Sequence, residues 1–174
     1  MKQNTIIALV GAGVGVVVLI ILSVFAAFLF TGGEAQSPGL SASQKTAVKE
    51  ALRDFGKIQA GLDVGITYNQ FGDFLIPARR AVNELMVTLP NSEITKNLAG
   101  AVDAFADSRQ IWKLKIDDPR IERLDPKGYI EQKILVRYQI DTWMEVEAIR
   151  SLIWRQAGQK LAAARRLAAE AGVE

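Results

Sequence analysis

The chain has no cysteine and no histidine. The first absence excludes disulfides, thiolate metal sites and cysteine nucleophiles, and leaves the compartment open, because an oxidising space tolerates a Cys-free protein as readily as cytosol does. The second removes the Ser-His triad, histidine-rich zinc sites and the only side chain that titrates unperturbed near neutrality. Carboxylate or lysine chemistry remains open, but the balance is against an enzyme, and no cofactor or metal is expected. Charge is also missing from the start of the chain: Lys2 is the only ionisable side chain before Glu34. From residue 34 onward there are 20 basic against 19 acidic side chains, too even a balance for a nucleic-acid surface.

The uncharged opening contains TIIALVGAGVGV, residues 5 to 16, which has the look of a dinucleotide-binding turn. That fingerprint needs a third glycine where Val16 stands, and the helix after it needs a wet face. Residues 16 to 30, VVVLIILSVFAAFLF, offer only Ser23. From Ile6 to Phe30 the run makes a helix of about 37 Å, against a hydrocarbon core of about 30 Å. Residues 1–30 are therefore expected to be a short tail and a transmembrane anchor in the lipid bilayer. The apolar run is longer than that of a cleaved signal peptide, the competing reading, although Gly33-Glu34-Ala35 offers small residues for a peptidase. Lys2 lies on one side of the anchor and the next basic residue is Lys45, so the amino terminus is expected in the cytoplasm and the rest outside, in the periplasm. Gly11 and Gly15, with Ala8 and Ala12 beside them, form a small-residue face through which a second membrane helix can approach. Other membrane proteins, or a second copy of this chain, are the expected partners, although glycine is also common in membrane helices without such a role.

Residues 31–42, TGGEAQSPGLSA, have linker composition, and residues 43–174 are expected to form a helical domain. Val48, Leu52, Phe55, Ile58 and Leu62 recur at spacings of three and four, which predicts a helix over about 43–63. Thr67 caps a second helix through Phe71, Phe74, Leu75, Val82, Leu85 and Leu89, with a kink or a fresh start expected at Pro77. After Pro90, Asn91 or Ser92 caps a third helix, bearing Ile94, Leu98, Val102, Phe105 and Trp112, to about Ile116. DDPRIERLDPKG reads as a surface loop. Beyond Gly128 the apolar pattern runs to Ala171, which predicts one helix of about 40 residues. With no alternating strand pattern of useful length, the expected fold class is all-α: an antiparallel helical bundle with one long C-terminal helix, behind a single membrane anchor.

The stretch GLDVGITYNQFGDFLIPARRAVNEL, followed by AVDAFADSRQIWKLK, resembles uncharacterised bacterial membrane-anchored helical envelope proteins over about residues 43–116. Those proteins carry a helix closing on a Val-Gly-Ile/Val-x-Tyr turn, an Ala-rich second helix and a third with an aromatic end. Pro77 departs from the uninterrupted second helix of that pattern. The resemblance implies a helical, envelope-associated protein and transfers no catalytic or binding residue.

Candidate chemistry is sparse. Asp117, Asp118, Glu122 and Asp125 are the densest carboxylates, but match no Ca²⁺-loop spacing and interleave with Arg120, Arg123 and Lys127, so surface ion pairs account for them. Asp141 and Glu145, four apart, could form an acid and base pair; Arg137, four before Asp141, makes a helix ion pair the better reading. Trp112, Trp143, Trp154 and Tyr138, with Tyr68 and Tyr129, are candidates for a partner surface or an apolar pocket, with core packing the plainer explanation. On one long helix Trp143 and Trp154 share a face about 16 Å apart. These readings favour an interaction or scaffold protein, as an accessory subunit of an envelope complex, with a ligand-binding or sensory domain for a small apolar molecule as the alternative.

Overall fold

The computed structural model describes residues 39–173. The apolar run at 6–30 and its small-residue face, Gly11, Gly15, Ala8 and Ala12, lie outside the described residues. Among the described residues, no helix is long and apolar enough to cross a membrane.

All regular structure among the described residues is helical: α1 (Ala42–Val64), α2 (Tyr68–Thr88), α3 (Glu93–Asp117), α4 (Tyr129–Tyr138) and α5 (Val146–Glu170). The first three starts have local chemical causes. Ser41 and Gln44 form a capping box, in which the Ser41 hydroxyl accepts from the Gln44 N–H at 3.3 Å and Gln44 Oε1 accepts from the Ser41 N–H at 2.9 Å. Thr67 and Gln70 repeat the device at α2, and the Ser92 hydroxyl accepts from the Ile94 N–H at α3. Each satisfies donors that a helix start otherwise leaves open. Gly65, at φ 90°, supplies the positive-φ turn between α1 and α2. α2 runs continuously through Pro77, so there is no fresh start there. Burial of Phe71, Leu75, Ala78 and Val82 on either side of the proline outweighs the single backbone hydrogen bond it removes.

Helices α1, α2, α3 and α5 run up-down-up-down. Gln44 Nε2 donates to the Thr88 carbonyl, joining the start of α1 to the end of α2. Tyr68, the first residue of α2, meets Trp112 near the end of α3. Trp154 in α5 meets Ser108 and Trp112, while farther along the Lys160 stem lies over Gly100. The α3–α5 interface is the most extensive, because both helices present small side chains there: Ala101 and Ala104 from α3, and Ala157, Ala164 and Ala168 from α5 are all buried. The core between the helices holds Phe55, Phe71 and Phe105, fully or almost fully buried.

One prediction about the fold is corrected. The expected 40-residue helix is two helices, α4 and α5, separated by residues 139–145. Gln139 adopts the left-handed conformation (φ 52°, ψ 48°), its N–H reaches the Val136 carbonyl, and the Ile140 N–H reaches Leu135 at 2.9 Å. This is a Schellman ending with glutamine in the glycine position. Ile140 and Leu135 are both buried by it, and that burial outweighs the cost of a non-glycine left-handed residue, about 1 kcal/mol. The two segments flanking α4 are then tied together: the Val146 N–H donates to the Glu122 carbonyl, and Arg123 and Glu145 form an isolated antiparallel bridge.

Phe105→Ala, which empties the middle of this core, is expected to lower stability by about 3–5 kcal/mol. Trp143→Ala, at a position 66% exposed, is expected to change it by no more than about 0.5 kcal/mol. Chemical denaturation of the two variants beside the parent chain measures both.

Candidate functional site

The chemistry of the bundle gathers where the first turns of α2, the second half of α3 and the first half of α5 converge. On α3 the core stripe Leu98, Ala101, Val102, Phe105 continues at the same spacing into Ser108, Arg109 and Trp112, so polar groups are carried into a buried register. Trp112 stands edge-on to Trp154, with ring centroids 6.2 Å apart, and edge-on to Tyr68 at 5.8 Å. Phe71 packs between Trp112, Trp154 and Phe105, each at 6.1–6.3 Å. Trp154 Nε1 donates to the Ser108 hydroxyl at 2.7 Å, and that hydroxyl donates to the Phe105 carbonyl, so both buried polar groups are satisfied. The Arg150 guanidinium lies over Trp154 and Trp112, 4.9 and 5.2 Å from their centroids, and pairs with Glu147. The Arg109 guanidinium lies over the Tyr68 ring at 4.1 Å.

One residue along from Ser108, Asp107 points toward α4. Its side chain is 8% exposed and receives hydrogen bonds from Arg137 at 2.6 Å and from the Tyr138 hydroxyl at 3.0 Å. A buried carboxylate left without such partners would cost several kcal/mol, about 3–5, so the three groups act as one clamp holding α4 to α3. Burial raises the pKa of the Tyr138 phenol, and the adjacent Asp107 charge and hydrogen bond raise it further. Burial alone would lower that of Arg137, but the charge and hydrogen bond of Asp107 together outweigh it, so the guanidinium is held more firmly charged.

Trp112 and Trp154 are thus brought together, Tyr138 joins a neighbouring clamp, and Trp143 stands apart. Trp143 lies in the turn between α4 and α5, exposed, so the shared helical face expected for Trp143 and Trp154 does not exist. The expected Arg137–Asp141 helix pair is absent for the same reason: the helix has ended, the Asp141 carbonyl accepts from the Met144 N–H in a turn, and Arg137 is engaged by Asp107. Glu145 stands at the N-cap position of α5, in extended backbone, instead of facing Asp141 along a helix. Asp117 pairs with Lys113 along the last turn of α3; in the loop that follows, Asp118 accepts from the Arg120 N–H and lies 3.8 Å from its Nε, and Asp125 accepts from the Lys127 N–H. Those carboxylates stabilise turns, and among the described residues no three metal-ligating side chains converge. Arg109, Asp107, Ser108 and Arg150 escaped the sequence reading; their signal was polar residues at core spacing on α3 and α5.

Four exposed large apolar side chains belong to α4 and the turn after it: Tyr129 and Val136, which with Lys133 line a shallow groove, Ile130, and Trp143. No protein family, no curated protein and no solved structure matches the chain.

The clamp carries a pH signature. Below pH 10.0, the ordinary phenol value, Tyr138 is protonated in folded and unfolded chains alike and its contribution is fully present. Above that value the unfolded chain loses its proton first, so stability is expected to fall as pH rises towards the higher folded value. Ultraviolet titration of the folded protein is expected to show a tyrosine ionisation delayed beyond the ordinary phenol range, and Tyr138→Phe is expected to abolish that late step. Asp107→Asn, which weakens the bond to Arg137, is expected to cost about 1–3 kcal/mol in denaturant unfolding.

Proposed function

We propose that this chain is a single-pass, membrane-anchored helical interaction protein, an accessory subunit of a larger bacterial envelope complex, with the bundle on the extracytoplasmic side. The observation that carries the reading is the set of exposed apolar side chains on α4 and its following turn, Tyr129, Ile130, Val136 and Trp143, on an element otherwise fastened by the bond of Arg137 to a buried carboxylate. A fastened helix presenting large apolar side chains to water is suited to docking, since its own ordering is complete before a partner arrives. The 25 uncharged residues from Ile6 to Phe30 support the anchor, and the Gly11 and Gly15 face supports a second contact within the bilayer. The balanced charge of the remaining chain supports a protein partner over nucleic acid. The alternative, a domain for a small apolar ligand lined by the tryptophans, ranks second because Trp112 and Trp154 spend their faces on each other, on Phe71 and on Arg150.

Extraction of native membranes with mild detergent is expected to bring other membrane proteins down with this chain. Val136→Glu combined with Trp143→Ala is expected to reduce that recovery while leaving the thermal unfolding of the bundle unchanged. Gly11→Ile with Gly15→Ile is expected to weaken it separately. A monomer recovered without partners from native membranes sinks the proposal.

A further inference from the structure

The geometry points to a small-molecule site in the cleft between α2 and α3, whose ligand is a free α-amino acid with an aliphatic side chain. The cleft, about 280 Å³, is lined by Asn69, Asp73, Leu75, Ile76, Arg79 and Arg109. Its defining group is the Arg109 guanidinium. The Tyr68 ring supports one face, and Gly72 leaves the space the guanidinium occupies: a methyl group at that position would come within 2.8 Å of Nη2 and 3.0 Å of Cζ. The planar fork is therefore held in place before any ligand arrives.

Its donors are unspent. Among the described residues Arg109 has no ion-pair or hydrogen-bond partner, and its Nε is buried without an acceptor. Arg150 also buries an unpartnered Nε, but its Nη2 is spent on Glu147, and Arg79 has Asp103 and Arg137 has Asp107. A fixed, partly dehydrated guanidinium with an open fork matches a carboxylate in bidentate fashion. On α2, Asn69, Asp73 and Ile76 share a stripe at spacings of four and three, bordering the same cleft. Asp73 makes no ion pair within the described residues, so its carboxylate is an acceptor for a cation. Leu75, and Ile76 at 62% exposure, supply an apolar wall. One anion receptor, one cation receptor and an aliphatic wall in a single cleft correspond to the three parts of an amino acid such as leucine. A phosphate or a dicarboxylate would meet Asp73 as a like charge, and a simple amine would meet Arg109.

Calorimetry on the full chain in lipid nanodiscs tests this with L-leucine, with isocaproate, which lacks the ammonium, and with isoamylamine, which lacks the carboxylate. Leucine is expected to bind saturably, with each analogue weaker by about tenfold or more. Arg109→Gln is expected to lose leucine by at least about the same factor. Arg109→Lys, which keeps the charge but not the fork, is expected to fall in between. Gly72→Ala, which favours the helix while displacing the guanidinium, is expected to weaken leucine binding with the thermal transition of the bundle retained, so the test does not depend on Arg109 variants that fold poorly. Asp73→Asn is expected to bring leucine down to the level of isocaproate and leave isocaproate unchanged. No saturable leucine binding, isocaproate binding as tightly as leucine, or undiminished binding by folded Arg109→Gln or Gly72→Ala overturns the site.

Discussion

Phe105 touches Phe55 of α1 and Phe71 of α2, and through Phe71 the contact passes to Trp112 and Trp154. Four helices are thereby held by one column of rings, and each polar feature of the molecule is positioned from it. Ser108, three residues after Phe105, receives Trp154; Arg109, four after, rests on Tyr68; Asp107, two after, faces α4. A turn of helix is 3.6 residues, so side chains at these offsets leave α3 in three directions. Seated by its aromatics, α3 distributes one contact to α5, one to α2 and one to α4.

The consequence is a division of labour among the arginines. Arg150 covers the outer faces of two tryptophans and is neutralised by Glu147. Arg137 serves a buried carboxylate and so fastens a short helix that its own length would not stabilise. Among the described residues Arg109 alone of these three has no ion-pair partner, so two arginines maintain structure and the third has donors left over. The fastened α4 and the open Arg109 fork lie on different elements, so the proposed docking surface and the proposed ligand cleft share no side chain.

Much of the architecture was legible residue by residue. Thr67 and Ser92 are caps because a hydroxyl in that position satisfies helix N–H groups whatever surrounds it, and Pro90-Asn91 breaks a helix for equally local reasons. The apolar stripes of α1, α2 and α3 are read from spacing alone. The break at Gln139 was not legible, because residues 129–157 carry neither glycine nor proline and the apolar pattern continues across the break; the left-handed turn exists only because Ile140 and Leu135 find a core to enter. Every misplacement among the candidate residues follows from that turn: Asp141 leaves the helix, Arg137 is released to Asp107, and Trp143 swings into solvent.

By itself the sequence determined the all-helical class, the helix starts and the uncharged run at the amino terminus, since these rest on backbone capping, periodicity and transfer from water, which act over a few residues. Only the tertiary structure decided which polar residues meet. Asp107 and Arg137 are thirty residues apart in the chain, and Gly72 and Arg109 nearly forty, so their encounter depends on how α3 is rotated against its neighbours. That rotation is set by the packing of Phe55, Phe71, Phe105 and the two half-buried tryptophans, a many-body fit of volumes that no local pattern encodes.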